Sequence, residues 1–233
     1  MKNYLILGSG RWALHLQKSL ALAGISHGSW ARKTQTLSDL QEKLTCASHV
    51  WLAVSDQALP EWAEKLRSFD GPVLHSSGAL EIGGLHCVHP LMSFSNELYS
   101  DDFYSRFAFV TTSPLPREDL IASLPNPFFR IEPEQKTFYH AMCVLAGNGS
   151  VLLWQKFLHE MRRLGISNEA STLYARRIVE NLANDPARAL TGPLVRNDQI
   201  TLQADLHSLA EDPFQGVLAA LIEAYARGGK ELV

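Results

Sequence analysis

The chain has 233 residues, a hydrophobic fraction of 46%, a charged fraction of 19% and a formal net charge of −3. These values are typical of a globular protein of one or two domains and argue against a nucleic-acid-binding surface. No apolar run approaches the length of a membrane-spanning helix, and the first residues lack the apolar core and cleavage site of a signal peptide. We therefore expect a cytoplasmic protein with no nucleic-acid or membrane partner.

Short apolar segments alternate with helical segments through the first half of the chain. The predicted strands there are 4–7, 26–31, 49–54 and 72–75. The predicted helices between them are 12–23, 36–44 and 61–69. This alternation predicts parallel βαβ units, and hence an α/β fold of the Rossmann type with a doubly wound, mostly parallel sheet.

The pattern changes in the second half of the chain. Two more strands are predicted at 107–110 and 128–131, followed by helices at 135–164, 167–183 and 214–227. Gly147 and Gly149 are expected to bend the first of these helices or to admit a close neighbour. Because strand signals stop before residue 134, we predict a Rossmann domain at 1–133 and an all-α substrate or dimerisation domain at 134–233.

A glycine-rich turn follows the first predicted strand. Its sequence, Gly8-Ser9-Gly10-Arg11-Trp12-Ala13, matches the pattern G-x-G-x-x-G/A and begins a predicted helix, the context that the pattern requires. Gly8 permits the tight turn, Gly10 lets a pyrophosphate approach the backbone, and Ala13 lets the helix pack against the sheet. We predict that this segment binds a dinucleotide through the helix N-terminus. The alternative is a turn whose glycines serve geometry alone.

The residues after the second strand indicate which dinucleotide is bound. NAD-preferring proteins place an acidic residue there to hold the ribose hydroxyls. This chain instead has Arg32, Lys33 and Thr34, two cations and a hydroxyl that suit a 2′-phosphate. We therefore predict NADP rather than NAD as the cofactor, with a solvated surface loop as the alternative.

Polar residues also follow the third and fourth strands, where ligands of parallel sheets bind. The predicted cleft residues at these strand ends are Val54, Ser55, Asp56, Ser76 and Ser77. Asp56 alternatively caps the next helix. His75 is a candidate acid or base because histidine titrates near neutral pH, although a buried structural histidine is the alternative.

The next unusual segment contains His86, Cys87 and His89. In an extended chain, residues three apart point to opposite faces, so this spacing does not favour a metal site. Cys46, Cys87 and Cys143 are too widely spaced for a zinc site and are predicted to be buried thiols. We predict no metal, and interpret this segment as a proline-bounded loop that lines the cleft, with His89 contacting a substrate.

Several motifs resemble a bacterial family of Rossmann-like proteins that have a C-terminal helical domain of unknown function. The matching segments are Gly8–Gly10 with Ala13, 53–56, 75–79, 89–94, Tyr139–Ala141 with Asn148, and 189–193 with Arg196, Asp198 and His207. Wider relatives are pyrroline-5-carboxylate reductase, ketopantoate reductase, and the 6-phosphogluconate and 3-hydroxyisobutyrate dehydrogenases. The resemblance implies a dinucleotide-binding domain and a helical domain that often forms a dimer, so a homodimer through the C-terminal helices is expected.

The dehydrogenase relatives have a Lys and an Asn one turn apart on the first long helix of the second domain. Asn148 matches the Asn, but Val144 stands one turn earlier. By α-helical spacing His140 shares a face with both, so we predict that His140 replaces the Lys, with Asn148 and His75 as further catalytic candidates. The alternative is a buried structural His140. Arg196 is predicted to bind a substrate carboxylate or to connect helices at a dimer interface.

Two functions remain open from the sequence. The first is an NADP-dependent oxidoreductase that transfers a hydride between the nicotinamide and a small polar substrate at an interdomain cleft. The second is a non-catalytic NADP(H)-binding sensor or scaffold protein, which the missing Lys favours. A degenerate Rossmann domain without cofactor is a third alternative. A closed polar pocket beside the nicotinamide position would favour the enzyme, and a shallow or blocked cleft would favour the sensor.

Overall fold

The computed structural model describes residues 2–228. The chain separates into two compact units, the first ending at Ser150 and the second beginning at Val151. None of the helices within the described residues is long and apolar enough to cross a membrane.

A five-stranded parallel sheet forms the centre of the first unit. Its strands, β1 to β5, are Asn3–Leu7, Ser26–Trp30, His49–Leu52, Val73–His75 and His86–Cys87. Their order is β2-β1-β3-β4-β5, and Leu7 pairs with Trp30 on one side and with Leu52 on the other. The carboxyl ends of these strands therefore align where the strand order reverses, which is where such sheets bind ligands. The predicted fold class is confirmed.

Helices cover both faces of this sheet. They are α1 (Arg11–Leu22), α2 (Leu37–Cys46) and α3 (Leu59–Lys65), the last preceded by a 3₁₀ turn at Asp56–Ala58. On one face, the side chains of Ile6 and Trp51 pack with α1, and on the other those of Leu5 and Leu52 pack with α2 and α3. Because the strands are buried on both faces, they are apolar along most of their length.

A smaller sheet completes the first unit. It consists of β6 (His89–Leu91), β7 (Ala108–Thr111) and β8 (Phe128–Arg130), with a 3₁₀ turn at Asp101–Ser105 and α4 at Arg117–Ile121. The prediction of a loop at residues 86–94 is therefore wrong for residues 86–87 and 89–91, because β5 pairs with β4 and β6 pairs with β7. Cys87 is buried as expected, whereas Cys46 is exposed at the end of α2.

The single long helix predicted at 135–164 is divided in the structure. A 3₁₀ turn at Pro133–Gln135 leads into α5 (Lys136–Cys143), then a π-helical turn at Val144–Gly149, then α6 (Ser150–Arg163). The π-turn lies at the glycine pair, where missing side chains relax the α-helical ladder. This turn lies between His140 and Asn148 and changes their spacing from that of a regular α-helix, so their shared face stays a prediction.

The first unit thus extends past the predicted boundary at residue 133 to include α5 and the π-turn. The assignment of a substrate or dimerisation domain to residues 134–233 stays a prediction. The second unit has only helices among its described residues: besides α6, α7 (Asn168–Asn184), α8 (Pro193–Arg196), α9 (Gln199–Ser208) and α10 (Phe214–Arg227). Helix α9 was not predicted.

Candidate cofactor cleft

The turn between β1 and α1 brings backbone rather than side chains to the edge of the sheet. Gly8 has a φ of +138°, and its N–H donates to the Trp30 carbonyl at 2.9 Å. A Cβ at Gly8 would lie 2.2 Å from the Ala53 carbonyl oxygen, so only glycine fits between β1 and β3. A Cβ at Gly10 would meet no atom within 4 Å, so this glycine leaves open space for a ligand.

The N-terminus of α1 is suited to an anion. The helix begins after Gly10 without a side-chain cap and without an acidic residue in its first turn. The N–H groups of the first turn lack intrahelical partners and lie at the positive end of the helix dipole. Arg11, whose guanidinium donates to the Phe94 carbonyl at 3.3 Å, borders the same cleft. These residues fit a pyrophosphate.

Two cavities follow the carboxyl ends of the strands, one of about 550 Å³ and one of about 240 Å³. The residues that line both are Gly10, Ala53, Val54 and Ser55. Because they share these residues, the two cavities adjoin at the sheet edge. The smaller cavity ends at Arg32 and Lys33, and the larger extends to Ser76, Ser77 and His89.

The smaller cavity joins two exposed cations to an aromatic wall. Trp30 and Trp62 meet edge to face with ring centroids 5.7 Å apart, and both border the cavity together with Arg32 and Lys33. Thr34 does not line it, because its N–H and hydroxyl donate to the Ala31 carbonyl at 3.0 and 3.3 Å and so form a turn. The combination fits a phosphorylated nucleoside at Arg32 and Lys33.

Two serines at the end of β4 make different contacts in the larger cavity. The Ser76 hydroxyl oxygen accepts hydrogen bonds from the indoles of Trp12 and Trp51 at 2.7 and 2.8 Å. The Ser77 hydroxyl donates to the Asp56 carboxylate at 2.9 Å. The Asp56 side chain therefore connects two strand ends and does not cap the following 3₁₀ turn, for which no side-chain cap is present.

Two histidines converge over Gly78, just beyond these serines. A Cβ at Gly78 would lie 2.7 Å from His140 Cδ2 and 2.9 Å from His89 Nε2, so the glycine lets both imidazoles approach. The Nδ1 of His89 is 2.7 Å from the Tyr139 hydroxyl. Burial, followed by the nearby His140 and Lys136, lowers the pKa of His89 to about 4. His89 is therefore neutral at pH 7 and has one N–H to donate.

Tyr139 is a neutral phenol in this arrangement. Burial, with the nearby Cys143 thiol as a further cause, raises the pKa of its hydroxyl above the ordinary value. A phenol can donate to His89 Nδ1, which leaves the hydrogen of the imidazole on Nε2, the atom next to Gly78. Tyr139 was part of a matching motif in the sequence but was not predicted as a site residue, since nothing local connects it to His89.

His75 lies beneath the cleft rather than in its lining. Its side chain is fully buried, its Nδ1 accepts from the Ser77 N–H at 3.3 Å, and its Nε2 has no hydrogen-bond partner within residues 2–228. Burial, followed by Lys136, lowers its pKa to about 4. This geometry matches the structural alternative for His75 more closely than a catalytic role.

Lys136 anchors α5 to the segment between β4 and β5. Its side chain is only 2% exposed, and its ammonium lies 2.7 Å from Glu81 Oε1 and donates to the Leu80 carbonyl. Burial alone would raise the pKa of Glu81, but hydrogen bonds from Lys136 and Thr112 lower it below the usual value. Lys136 thereby fixes the start of the helix that positions Tyr139 and His140. No local pattern in the sequence indicates this role of Lys136, because its partner Glu81 is distant in the chain.

Two predicted residues are not brought into this arrangement. Asn148 is exposed on the π-turn, and no hydrogen bond of its side chain is found among the described residues. Arg196 is exposed on α8 of the second unit. The structure therefore brings together His89 and His140 with Ser76, Ser77 and the glycine turn, all within the first unit.

The second half of the chain matches a known family model. Residues 115–228 match a family described as a domain of unknown function, DUF2520. This part of the chain belongs to the DUF2520 family. The matched segment begins before β8 and ends after α10, so it includes Tyr139 and His140 of the site as well as the helical unit. No curated protein sequence matches the chain significantly.

Solved structures share the fold over nearly the whole chain. A Bacteroides fragilis protein assigned as an NADP oxidoreductase superposes with a TM-score of 0.74 at 19% identity, covering 96% of this chain and 97% of that one. Plasmodium falciparum pyrroline carboxylate reductase, with NADP bound, gives 0.64 at 14% identity, covering 100% and 99%. An imine reductase from Myxococcus stipitatus, in complex with NADP⁺, gives 0.61 at 13% identity, covering 99% and 96%. At these identities the likeness is one of fold.

Proposed function

We propose that this protein is an NADP-dependent oxidoreductase that transfers a hydride between the nicotinamide and a small polar substrate with a carbonyl, imine or alcohol group. The observation that supports this most is the pair of adjoining cavities, one bordered by Arg32 and Lys33 and the other by His89, with Gly10 in the lining of both. A dinucleotide has the same sequence of parts: a phosphorylated adenosine, a pyrophosphate and a reactive ring. The fold shared with proteins that bind NADP supports the proposal.

Binding is divided among three groups of residues in this proposal. Arg32 and Lys33 hold the 2′-phosphate, which favours NADP over NAD. Gly10 and the first turn of α1 hold the pyrophosphate through the backbone. Val54 and Ser55, which line both cavities, contact the middle of the cofactor. Ser76 and Ser77 would border the nicotinamide ring, which would supply the hydride when bound.

His140 is the proton donor in this mechanism. The substrate oxygen or nitrogen gains an electron pair when hydride adds to the neighbouring carbon, and a proton from His140 neutralises it. Neutral His89, held by Tyr139 at 2.7 Å, donates its Nε2 hydrogen to the same polar atom and positions it. This use of two histidines over Gly78 does not need the Lys of the dehydrogenase relatives.

The experiment is a screen for NADPH consumption with small ketones, 2-oxoacids and cyclic imines, followed by His140→Ala on any compound that is turned over. We expect kcat to fall by about 10² to 10⁴, with the Kd for NADPH changed less than about twofold. His159→Ala is the matched control, because this histidine is 61% exposed on α6. Unchanged turnover in His140→Ala would remove His140 from the mechanism.

The sensor or scaffold alternative makes a different prediction in the same screen. If the protein binds NADPH tightly but consumes it with none of these compounds, the binding function stands and the oxidoreductase proposal is not supported. The polar lining at His89, Ser76 and Ser77 favours the enzyme, because a sensor does not need proton donors beside the nicotinamide.

We also propose a homodimer through the helical unit. Within residues 151–228, Leu202 is the only buried hydrophobic side chain, whereas Leu152, Leu173 and Leu182 are 55%, 62% and 53% exposed. So much exposed apolar surface is unusual for a monomer. We propose that a second copy of the chain buries this surface in a dimer interface. Light scattering should give the mass of two chains, and a monomer would contradict it. A cytoplasmic location stays a prediction.

A further inference from the structure

The hydroxyl of Ser76 is held in one hydrogen-bonding orientation. A serine hydroxyl has two acceptor lone pairs and one hydrogen, and an indole N–H can only donate. Trp12 Nε1 and Trp51 Nε1 lie 2.7 and 2.8 Å from the same Ser76 oxygen. Both lone pairs of Ser76 are therefore occupied, and only its hydrogen remains free to bond.

No acceptor for this hydrogen is found within residues 2–228, where the hydroxyl of Ser76 makes only the two bonds that it accepts. Ser76 lines the larger cavity together with Ser77 and His89. Its neighbour differs in this respect, since the Ser77 hydrogen is already donated to Asp56 at 2.9 Å. The free hydrogen of Ser76 is thus available to a ligand in the cleft.

We infer that Ser76 is an obligatory hydrogen-bond donor to the carboxamide oxygen at the nicotinamide end of the cofactor, and that Trp12 and Trp51 are positioning residues that impose this polarity. The inference rests on the proposed NADP(H) binding. Ser76 lines only the larger cavity, whereas Arg32 lines only the smaller one. An extended dinucleotide whose 2′-phosphate lies at Arg32 therefore has its nicotinamide, and not its adenosine, near Ser76.

The fixed orientation of the Ser76 hydroxyl determines which group of a carboxamide it can bind. Because Ser76 cannot accept a third hydrogen bond, the amide –NH₂ of a carboxamide is not matched at this position, whereas its oxygen is. The carboxamide is thereby given one orientation, which fixes the face that the ring presents to a substrate. Trp51 is fully buried and does not line the cavity, so it acts on the ligand only through Ser76.

The test compares two ligands on the full chain: NADPH, and 2′-phospho-ADP-ribose, which lacks the nicotinamide. For Ser76→Ala we expect the Kd for NADPH to rise about tenfold, the effect of losing one well-made hydrogen bond, and that for 2′-phospho-ADP-ribose to change less than about twofold. Ser76→Thr keeps the hydroxyl and should bind NADPH within about threefold of the parent. Ser19→Ala is the control, because Ser19 is buried on α1 and its hydroxyl has no hydrogen-bond partner in the part of the chain that the structure describes.

Trp51→Phe tests the positioning role and remains informative if Ser76→Ala does not fold. This substitution frees one lone pair of Ser76, so the orientation of its hydrogen is less fixed. We expect the Kd for NADPH to rise about threefold and the Kd for 2′-phospho-ADP-ribose to stay unchanged. Equal weakening of both ligands, or of neither, in Ser76→Ala and Trp51→Phe would overturn the inference. If the parent protein binds NADPH and these variants bind it equally well, the inference fails while the proposed function stands; if the parent does not bind, the proposed function fails.

Discussion

The two ends of the cleft are built in different ways. At the glycine turn, consecutive residues of one strand–helix connection present mainly backbone groups, because Gly8 and Gly10 have no side chains. At the histidine end, side chains from β6 and α5 meet over Gly78. In the proposed function, binding of the pyrophosphate therefore depends on the backbone geometry of one short segment. Proton transfer depends instead on packing between segments that are distant in sequence.

The largest effect is expected at the glycine turn, from two glycines that differ in their surroundings. Gly8→Ala places a Cβ about 2.2 Å from the Ala53 oxygen at a φ of +138°, and we expect a loss of more than about 3 kcal/mol in the free energy of unfolding. Gly10 has extended backbone and free space around its Cβ position. Gly10→Ala should change stability by less than about 1 kcal/mol and weaken NADPH binding roughly tenfold or more, because the methyl group occupies the pyrophosphate position.

Urea denaturation and nicotinamide fluorescence measure the two quantities. Similar stabilities of the Gly8 and Gly10 variants would contradict the packing argument for Gly8. Unchanged NADPH binding by Gly10→Ala would contradict the role of the turn as a phosphate site.

Acid should destabilise the histidine end and leave the glycine turn unaffected. The pKa values of buried His75 and of His89 are lowered to about 4, below their unfolded value of about 6.5. The unfolded chain therefore binds more protons between about pH 6.5 and pH 4, so the stability that these groups contribute is complete above pH 6.5 and is lost as the pH falls toward 4. From His75 alone, the free energy of unfolding should fall by about 2 kcal/mol between pH 7 and pH 5.

His75→Gln should reduce this pH dependence, as measured by urea denaturation at both pH values. The variant also shows whether the loss of stability at acid pH comes from His75 itself. Other charged or titratable groups face His75 and His89, namely Lys136, Glu81, His86, His140 and Asp56. An unchanged slope would assign it to another of these groups.

Removing the anchor of α5 should loosen the histidine end. Lys136→Met keeps the length of the side chain but leaves Glu81, which is 45% exposed, without its partner. We expect the free energy of unfolding to fall by about 2 kcal/mol. This is less than the usual cost of breaking a buried ion pair, because Glu81 is partly solvated. Lys65→Met is the control, since its ion pair with Glu61 is on the surface and is expected to contribute less than about 1 kcal/mol. Equal losses, measured by thermal unfolding, would refute the anchoring role.

The smallest effect is expected at the adenosine end of the cleft. Arg32→Ala should reduce the preference for NADPH over NADH about tenfold, by removing one charge-assisted contact to the 2′-phosphate. Arg67→Ala is the control, because this exposed cation on the surface pairs only with Glu64 among the described residues. A preference that is unchanged by Arg32→Ala would place the 2′-phosphate elsewhere.

The same comparison explains how much the sequence could predict. The six predicted strands, the glycine turn and the cations after β2 are local patterns, and the structure has them where periodicity and spacing indicated, whereas the short β5 and β6 were not predicted. The contacts of His89 with Tyr139, and of Lys136 with Glu81, join residues distant in sequence, so no local pattern indicates them. The π-turn between His140 and Asn148 was also not predicted, because the helical pattern of the sequence does not distinguish it from an α-helix.

The most direct test of the account is a titration of the parent protein with NADPH and, separately, with NADH, followed by nicotinamide fluorescence. The account predicts saturable NADPH binding and at least tenfold weaker NADH binding, because Arg32 and Lys33 meet a phosphate that only NADPH has. Absence of binding by either cofactor would mean that the glycine turn is structural alone, and would contradict both the cleft assignment and the oxidoreductase proposal.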